Sequence, residues 1–168
     1  SGDPVSDFAD IEEELNMWYQ KILEGNRDRL QKIIKTGDDN IDALTELYQG
    51  VGVKTNHVKE ALKTSKLEEK DIENYDMQDS KKFASYLRKI SKPTLIVANK
   101  IDVKGADKNF ERLRERYNDM IVIPASADSE LTLRRAEQKE LIKYSPGSEK
   151  FDMLQTSELN QKQKDALD

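Results

Sequence analysis

The sequence predicts an α/β chain with a large all-helical part: a helical domain over residues 1–91, then an incomplete parallel βαβ unit over 92–168. Three observations predict it. Apolar residues recur at spacings of three and four as far as Ile90, the period of helices with one buried face. Pro93 breaks that pattern. Beyond it stand two continuous apolar runs, 94–98 and 120–124, of the kind that fills strands covered on both faces.

Residues 6–24 read as a helix with Phe8, Ile11, Leu15, Trp18 and Ile22 inward and Ser6 or Asp7 as its cap. Gly25-Asn26 ends it, and Asn26 is suited to cap a second helix with Leu30, Ile33 and Ile34 inward. Thr36-Gly37-Asp38 reads as a turn. A third helix over 39–49 carries Ile41, Leu44, Leu47 and Tyr48 until Gly50-Val51-Gly52 stops it. A fourth begins at Thr55 or Asn56 with Val58, Ala61 and Leu62 inward. After a charged connection, Asp76 caps a fifth bearing Phe83, Leu87 and Ile90. The strand at 94–98 leads to a helix capped by Asp107 and ending near Tyr117, with Phe110 and Leu113 inward; the strand at 120–124 leads to a helix from Ser129 to Lys139. Ser145-Pro146-Gly147-Ser148 reads as a turn, and Ser157 opens a final charged helix.

Composition excludes several classes. Charged and hydrophobic residues each make up 36% of the 168 residues, and mean hydropathy is −0.85. The apolar residues are periodic, so this polarity reflects surface-rich helices rather than disorder. The net charge of −5 falls entirely in residues 1–91, which carry 14 Lys/Arg against 19 Asp/Glu, whereas residues 92–168 carry 14 of each. Neither part has the basic excess that drives sequence-independent phosphate binding, so a contact with the ribosome or rRNA would need a local patch. Without cysteine there is no disulfide, thiolate metal site or cysteine nucleophile, which suits a cytoplasmic location. No apolar run approaches the ~18 residues that span a bilayer. Ser1 is not an initiator Met, and a fragment of a longer protein is expected.

The stretch Thr94-Leu95-Ile96-Val97-Ala98-Asn99-Lys100-Ile101-Asp102 hands an apolar strand directly to an amide, an ammonium and a carboxylate. Ligands of parallel sheets gather at the carboxyl ends of the strands, where Asn99–Asp102 and Ala125–Asp128 both fall. Asn-Lys-x-Asp in that position is the guanine-specificity motif of GTPases. Asp102 can accept from guanine N1–H and the exocyclic amine together, a pattern adenine lacks, so ATP would leave the acceptors unpaired. Asn99 can hold N7/O6 or brace the neighbouring loop, and Lys100 can lay its stem along the purine. Backbone N–H groups of Ser126 and Ala127 can reach guanine O6. The four-residue motif alone occurs by chance in roughly one chain in forty of this length. A preceding strand and a second strand ending in Ser-Ala make coincidence far rarer.

"KPTLIVANKID", "VIPASADSELTLRRAEQKELIKYSPGSEKF" and "FADIEEELNMWYQKIL" resemble the Obg-family GTPases, closest to the archaeal and fungal branch next to the YchF group. The resemblance covers essentially the whole chain. It implies a P-loop NTPase fold with a helical domain inserted before the fourth GTPase motif, here Asn99, Lys100 and Asp102; Ser126 and Ala127 match the fifth. It implies GTP or GDP as ligand, GTP hydrolysis by the intact protein and a role near translation. The phosphate loop G-x-x-x-x-G-K-[ST] does not occur in the chain, and no Asp-x-x-Gly stands ahead of the fourth motif, where the third is expected; the one such spacing, Asp102 to Gly105, overlaps the fourth motif itself. No catalytic residue is therefore assigned, this segment alone is expected to be inactive, and Mg²⁺ is expected only with a phosphate loop supplied from elsewhere. The family's ubiquitin-like C-terminal domain is also expected beyond Asp168.

Other candidate sites read as structural. His57 has no partners spaced for metal or acid–base work. Trp18-Tyr19 fits a core better than a base-stacking platform. Glu12-Glu13-Glu14 reads as a solvated face, and Arg112, Arg114, Arg116, Arg134 and Arg135 as a salt-bridged one interleaved with glutamates. The competing functional reading is a non-catalytic module whose helical domain binds a protein or ribosomal partner. An incomplete parallel sheet also leaves edges and faces open, so either a poorly ordered 92–168 region or a dimer is expected.

Overall fold

A computed structural model describes residues 2–35, 39–148 and 150–154. The turn expected at Thr36-Gly37-Asp38 and the helix expected from Ser157 lie outside the described residues. The chain divides into two compact units, Ser1–Thr94 and Leu95–Asp168.

The first unit contains α1 (Pro4–Glu24), α2 (Arg27–Lys35), α3 (Asn40–Tyr48), α4 (Thr55–Ser65) and α5 (Met77–Ser91), with 3-10 turns at Gln49–Val51 and Ile72–Asn74. Helix α1 starts earlier than its sequence suggests. Asp3 accepts from the Val5 N–H, and Pro4 occupies the first turn, where a missing N–H is no loss. Asp39 caps α3 through the Asp42 N–H at 2.8 Å. Gly52, at φ +77°, takes the left-handed conformation that ends the 3-10 turn at Gln49–Val51. Asp76 and Asp79 cap α5 reciprocally, each accepting the other's N–H, at 2.8 and 3.1 Å. Asn26 does not cap α2 with its side chain, which instead donates to the Ile22 carbonyl at 2.8 Å. His57 Nδ1 accepts from the Lys54 N–H at 3.2 Å and so helps to start α4.

Leu44, Val58, Phe83 and Leu87 are fully buried at the centre of this unit, around Tyr19 and Tyr48, whose rings stack 5.6 Å apart. Each such side chain contributes about 1.5–3 kcal/mol by leaving water. The Tyr48 hydroxyl donates to the Tyr19 carbonyl at 2.7 Å, and burial pushes its pKa far above the ordinary phenol range.

Two expectations for α1 are corrected. The apolar set has the right period but is out of phase at Ile11, Leu15 and Trp18, which are exposed; Ile22 packs against the core as expected, and Tyr19 and Leu23 enter it. The inward face of the helix is polar in part because it meets Arg88. That guanidinium, only 2% exposed, pairs with Glu12 at 2.7 Å and bonds Asn16 at 3.1 Å. The three glutamates are not a uniformly solvated face, since Glu12 turns in to Arg88, whereas Glu13 pairs with Lys81 at 2.8 Å on the surface.

The second unit contains β1 (Leu95–Ala98), α6 (Ala106–Arg116), β2 (Ile121–Pro124), α7 (Ala127–Gln138), β3 (Ile142–Tyr144) and β4 (Phe151–Met153). Strands β1 and β2 are parallel and in register from Leu95↔Ile121 to Ala98↔Pro124. Gly105 at φ +85° precedes α6, and Asp107 lies within it instead of capping it. Ser126 caps α7, three residues before the expected start, by accepting from the Ser129 N–H at 3.1 Å. The expected turn at Ser145–Ser148 joins β3 and β4 as an antiparallel hairpin that the sequence did not signal. Arg114 pairs with Glu111 and Arg134 with Glu130, while Arg116 lies over the Tyr117 ring.

The expectation of strands buried on both faces is corrected. Ile96 is buried, as are Leu113 of α6 and Tyr117 just after it, but Leu95, Val97, Ile121 and Ile123 are 42–66% exposed. Successive strand residues point to opposite faces, and α6 packs against β2. The alternate residues meet no covering helix among the described elements. No described helix is long and apolar enough to cross a membrane.

Candidate functional site

Parallel register places the ends of β1 and β2 side by side, because Ala98 opposes Pro124. The pairing continues past the strands. The Ala125 N–H donates to the Ala98 carbonyl at 2.9 Å, and the Ile101 N–H returns to the Ala125 carbonyl at 3.1 Å. The chain can turn back so sharply because Lys100 adopts φ +68°, a left-handed conformation uncommon for a residue with a Cβ. The Val103 N–H then bonds the Lys100 carbonyl at 3.1 Å, closing the turn.

Asn99 ties the two ends together. Its Oδ1 accepts from the Lys100 N–H at 2.8 Å and from the Ala127 N–H, 28 residues away, at 3.1 Å. Ala127 is the first residue of α7, so the side chain of one strand end is fixed to the helix start that follows the other. Ser126, whose hydroxyl caps that helix, stands between them. The Asp102 carboxylate is exposed and engages no group among the described residues, and Lys100 is exposed as well. The fold thus brings all five sequence-predicted residues, Asn99, Lys100, Asp102, Ser126 and Ala127, to one end of the sheet. The first of them acts as a brace and Asp102 is left as an open acceptor. The neighbouring Asp128 lies in the first turn of α7, where a carboxylate is favoured by the helix dipole.

The site is a ledge. Surface hollows of about 470 Å³ lie elsewhere, one along α5 and one beside α6 and β2, and neither includes these residues. Among the described residues no cluster of His, Asp or Glu could hold a metal ion. Sequence reasoning missed the turn residues behind the ledge. Ile101 offers no chemical signal, and its N–H matters only through the register.

Residues 97–168 match the family model for the G4 motif-containing domain of Obg-like GTPases of the YGR210-like type. Over 166 residues the chain is 36% identical to an uncharacterized GTP-binding protein of Methanocaldococcus jannaschii, an alignment covering 99% of this chain and 41% of that protein. It is 28% identical over 153 residues to an uncharacterized GTP-binding protein of Schizosaccharomyces pombe, covering 90% of this chain and 37% of the other. The crystal structure of a GTP binding protein from Pyrococcus horikoshii OT3 superposes with a TM-score of 0.74 at 37% identity, over 86% of this chain and 42% of that one. The chain therefore spans about two fifths of the length of these relatives. The ledge at Asn99–Asp102 lies within the residues that match the family model, and the helix-rich fold of the chain with its small parallel sheet resembles that of the GTP binding protein.

Proposed function

We propose that the ledge reads the guanine base of GTP or GDP, within a P-loop NTPase-type domain of which residues 95–168 form the distal part. Asp102 accepts from guanine N1–H and the exocyclic amine, Lys100 covers the purine face with its methylene stem, and Asn99 holds the two strand ends at a fixed separation. The Ala127 N–H faces the base from α7 and shares its hydrogen between Asn99 and guanine O6. The single observation that carries this reading is the division of labour at one turn: Asn99 Oδ1 is doubly engaged within the protein while the Asp102 carboxylate is exposed and unengaged. The relatives named as GTP-binding proteins point to the same base.

Residues 1–168 contain no phosphate-loop sequence. In this proposal the phosphates and Mg²⁺ are held by other parts of the whole protein, which hydrolyses GTP in the cytoplasm and acts near the ribosome. Phosphate contacts supply much of a nucleotide's affinity, so the 168-residue chain alone binds GDP at millimolar strength or not at all. The sheet left open in this chain is proposed to associate with a second copy. A second reading, in which the helical unit binds a protein partner, is favoured by the exposed apolar residues of α1.

The test is base exchange in the full-length protein. Asp102→Asn sets an amide donor against guanine N1–H or its amine. Losing a charge-assisted bidentate pair costs about 3 kcal/mol, roughly a hundredfold in GTP affinity. Xanthine, whose O2 accepts where guanine donates, is expected to bind the variant better than guanine. A variant that still prefers GTP to XTP would show that Asp102 does not read the base.

A further inference from the structure

Helix α1 presents an apolar stripe that its own unit does not bury. Ile11, Leu15 and Trp18, at spacings of four and three, lie on one face and are 53%, 39% and 49% exposed. Scattered exposed apolar residues are ordinary, but three large ones in one helical row form a contiguous patch. The same row carries Asp7 one turn before Ile11 and Glu14 one turn after it, with Asp10 beside them, and all three are exposed. Among the described residues none of these carboxylates has an ion-pair partner, although Glu12 and Glu13 on the same helix both do. The helix therefore combines an uncovered apolar row with an uncompensated acidic border.

We infer that this face of α1 docks a basic amphipathic helix of another protein, which lays its apolar row on Ile11, Leu15 and Trp18 and its Lys or Arg residues against Asp7, Asp10 and Glu14. The charges select the occupant. A phosphate backbone or an anionic lipid surface is repelled by three carboxylates. A second copy of this chain brings the same acidic border and sets like charges against each other. A basic helix matches both the apolar row and the border, in the helix-in-groove mode of recognition. This site is independent of the nucleotide ledge and goes beyond the nucleotide reading.

Trp18 is the only tryptophan in the chain, so its emission reports the site directly. The probe is an 18-residue peptide of leucine and lysine with leucines at helical spacings of three and four, added to the 168-residue protein at low salt. Emission is expected to shift to the blue with saturation. Binding is expected to weaken about tenfold between 50 and 500 mM salt, and about tenfold in Asp7→Asn/Asp10→Asn/Glu14→Gln, as screened rim charges should. Ile11→Ser/Leu15→Ser is expected to abolish the shift while leaving the far-ultraviolet circular dichroism unchanged. A peptide with glutamate in place of lysine is expected to leave emission unaltered. No shift with the lysine peptide, equal binding of the glutamate peptide, or a blue shift that instead follows protein concentration would each overturn the inference, the last in favour of self-association.

Discussion

At the scale of single residues, the backbone of Lys100 is the most unusual feature of the ledge. Its φ of +68° places a β-carbon in the left-handed region, which costs about 1 kcal/mol or more outside glycine. Glycine would remove the strain, and the lysine side chain can offset that cost through a role other than folding. Lying along a purine is such a role in the proposed function. Lys100→Gly is therefore expected to unfold at higher denaturant than Lys100→Ala, by about 1 kcal/mol, because alanine keeps the β-carbon without the stem. Both substitutions should weaken guanine-nucleotide binding in the full-length protein. Urea titrations of the two variants check the first half; equal stabilities would mean that the turn is not strained.

At the scale of elements, capping ties several helices to titratable groups. Asp79 accepts from Lys70 Nζ at 2.6 Å and from the Asp76 N–H that opens α5. The Lys70 ammonium chiefly, and that N–H next, hold the Asp79 carboxyl below its ordinary value of 3.8. A depressed carboxyl binds fewer protons when folded than when unfolded, so it contributes stability above pH 4 that is lost as pH falls through the folded pKa. Asp79→Asn is expected to be less stable than the parent at neutral pH and to lose less on acidification to pH 3, measured as the difference in thermal midpoint between the two pH values. If parent and variant lost equally, the pair would not be a determinant of acid stability.

The elements also show what a sequence can and cannot tell. The cap at Asp76 and the stop at Gly52 are local signals and were legible. The phase of α1 was not, because Glu12 and Asn16 turn inward only to meet Arg88, more than 70 residues later. At the ledge, the spacing of Asn99 and Asp102 was legible, whereas the bond from the Ala127 N–H to Asn99 depends on strand register. The β3–β4 hairpin was missed because its three-residue strands are too short for a period to appear.

At the scale of the whole molecule, the β1–β2 sheet sets the consequence for behaviour in solution. Leu95, Val97, Ile121 and Ile123 share one face, since register pairs Leu95 with Ile121 and Val97 with Ile123. That face and the free edge of a parallel pair are surfaces that soluble proteins normally cover. The relatives are more than twice as long as this chain, which leaves ample sequence in them to provide a cover. The 168-residue chain by itself is therefore expected to self-associate. The association should be weak, because a stable interface takes about 800 Å² from each partner and four half-exposed aliphatic side chains supply less. Light scattering between 10 and 500 μM is expected to show a rising mean mass that Val97→Thr/Ile121→Thr lowers. High salt should leave it unchanged, since the contact is apolar. A strict monomer at the highest concentration, with slow amide exchange throughout 95–98 and 121–124, would show that two strands and one helix suffice to hold this face in water. Full-length protein should show no such rise, because the chain that covers the sheet is then present.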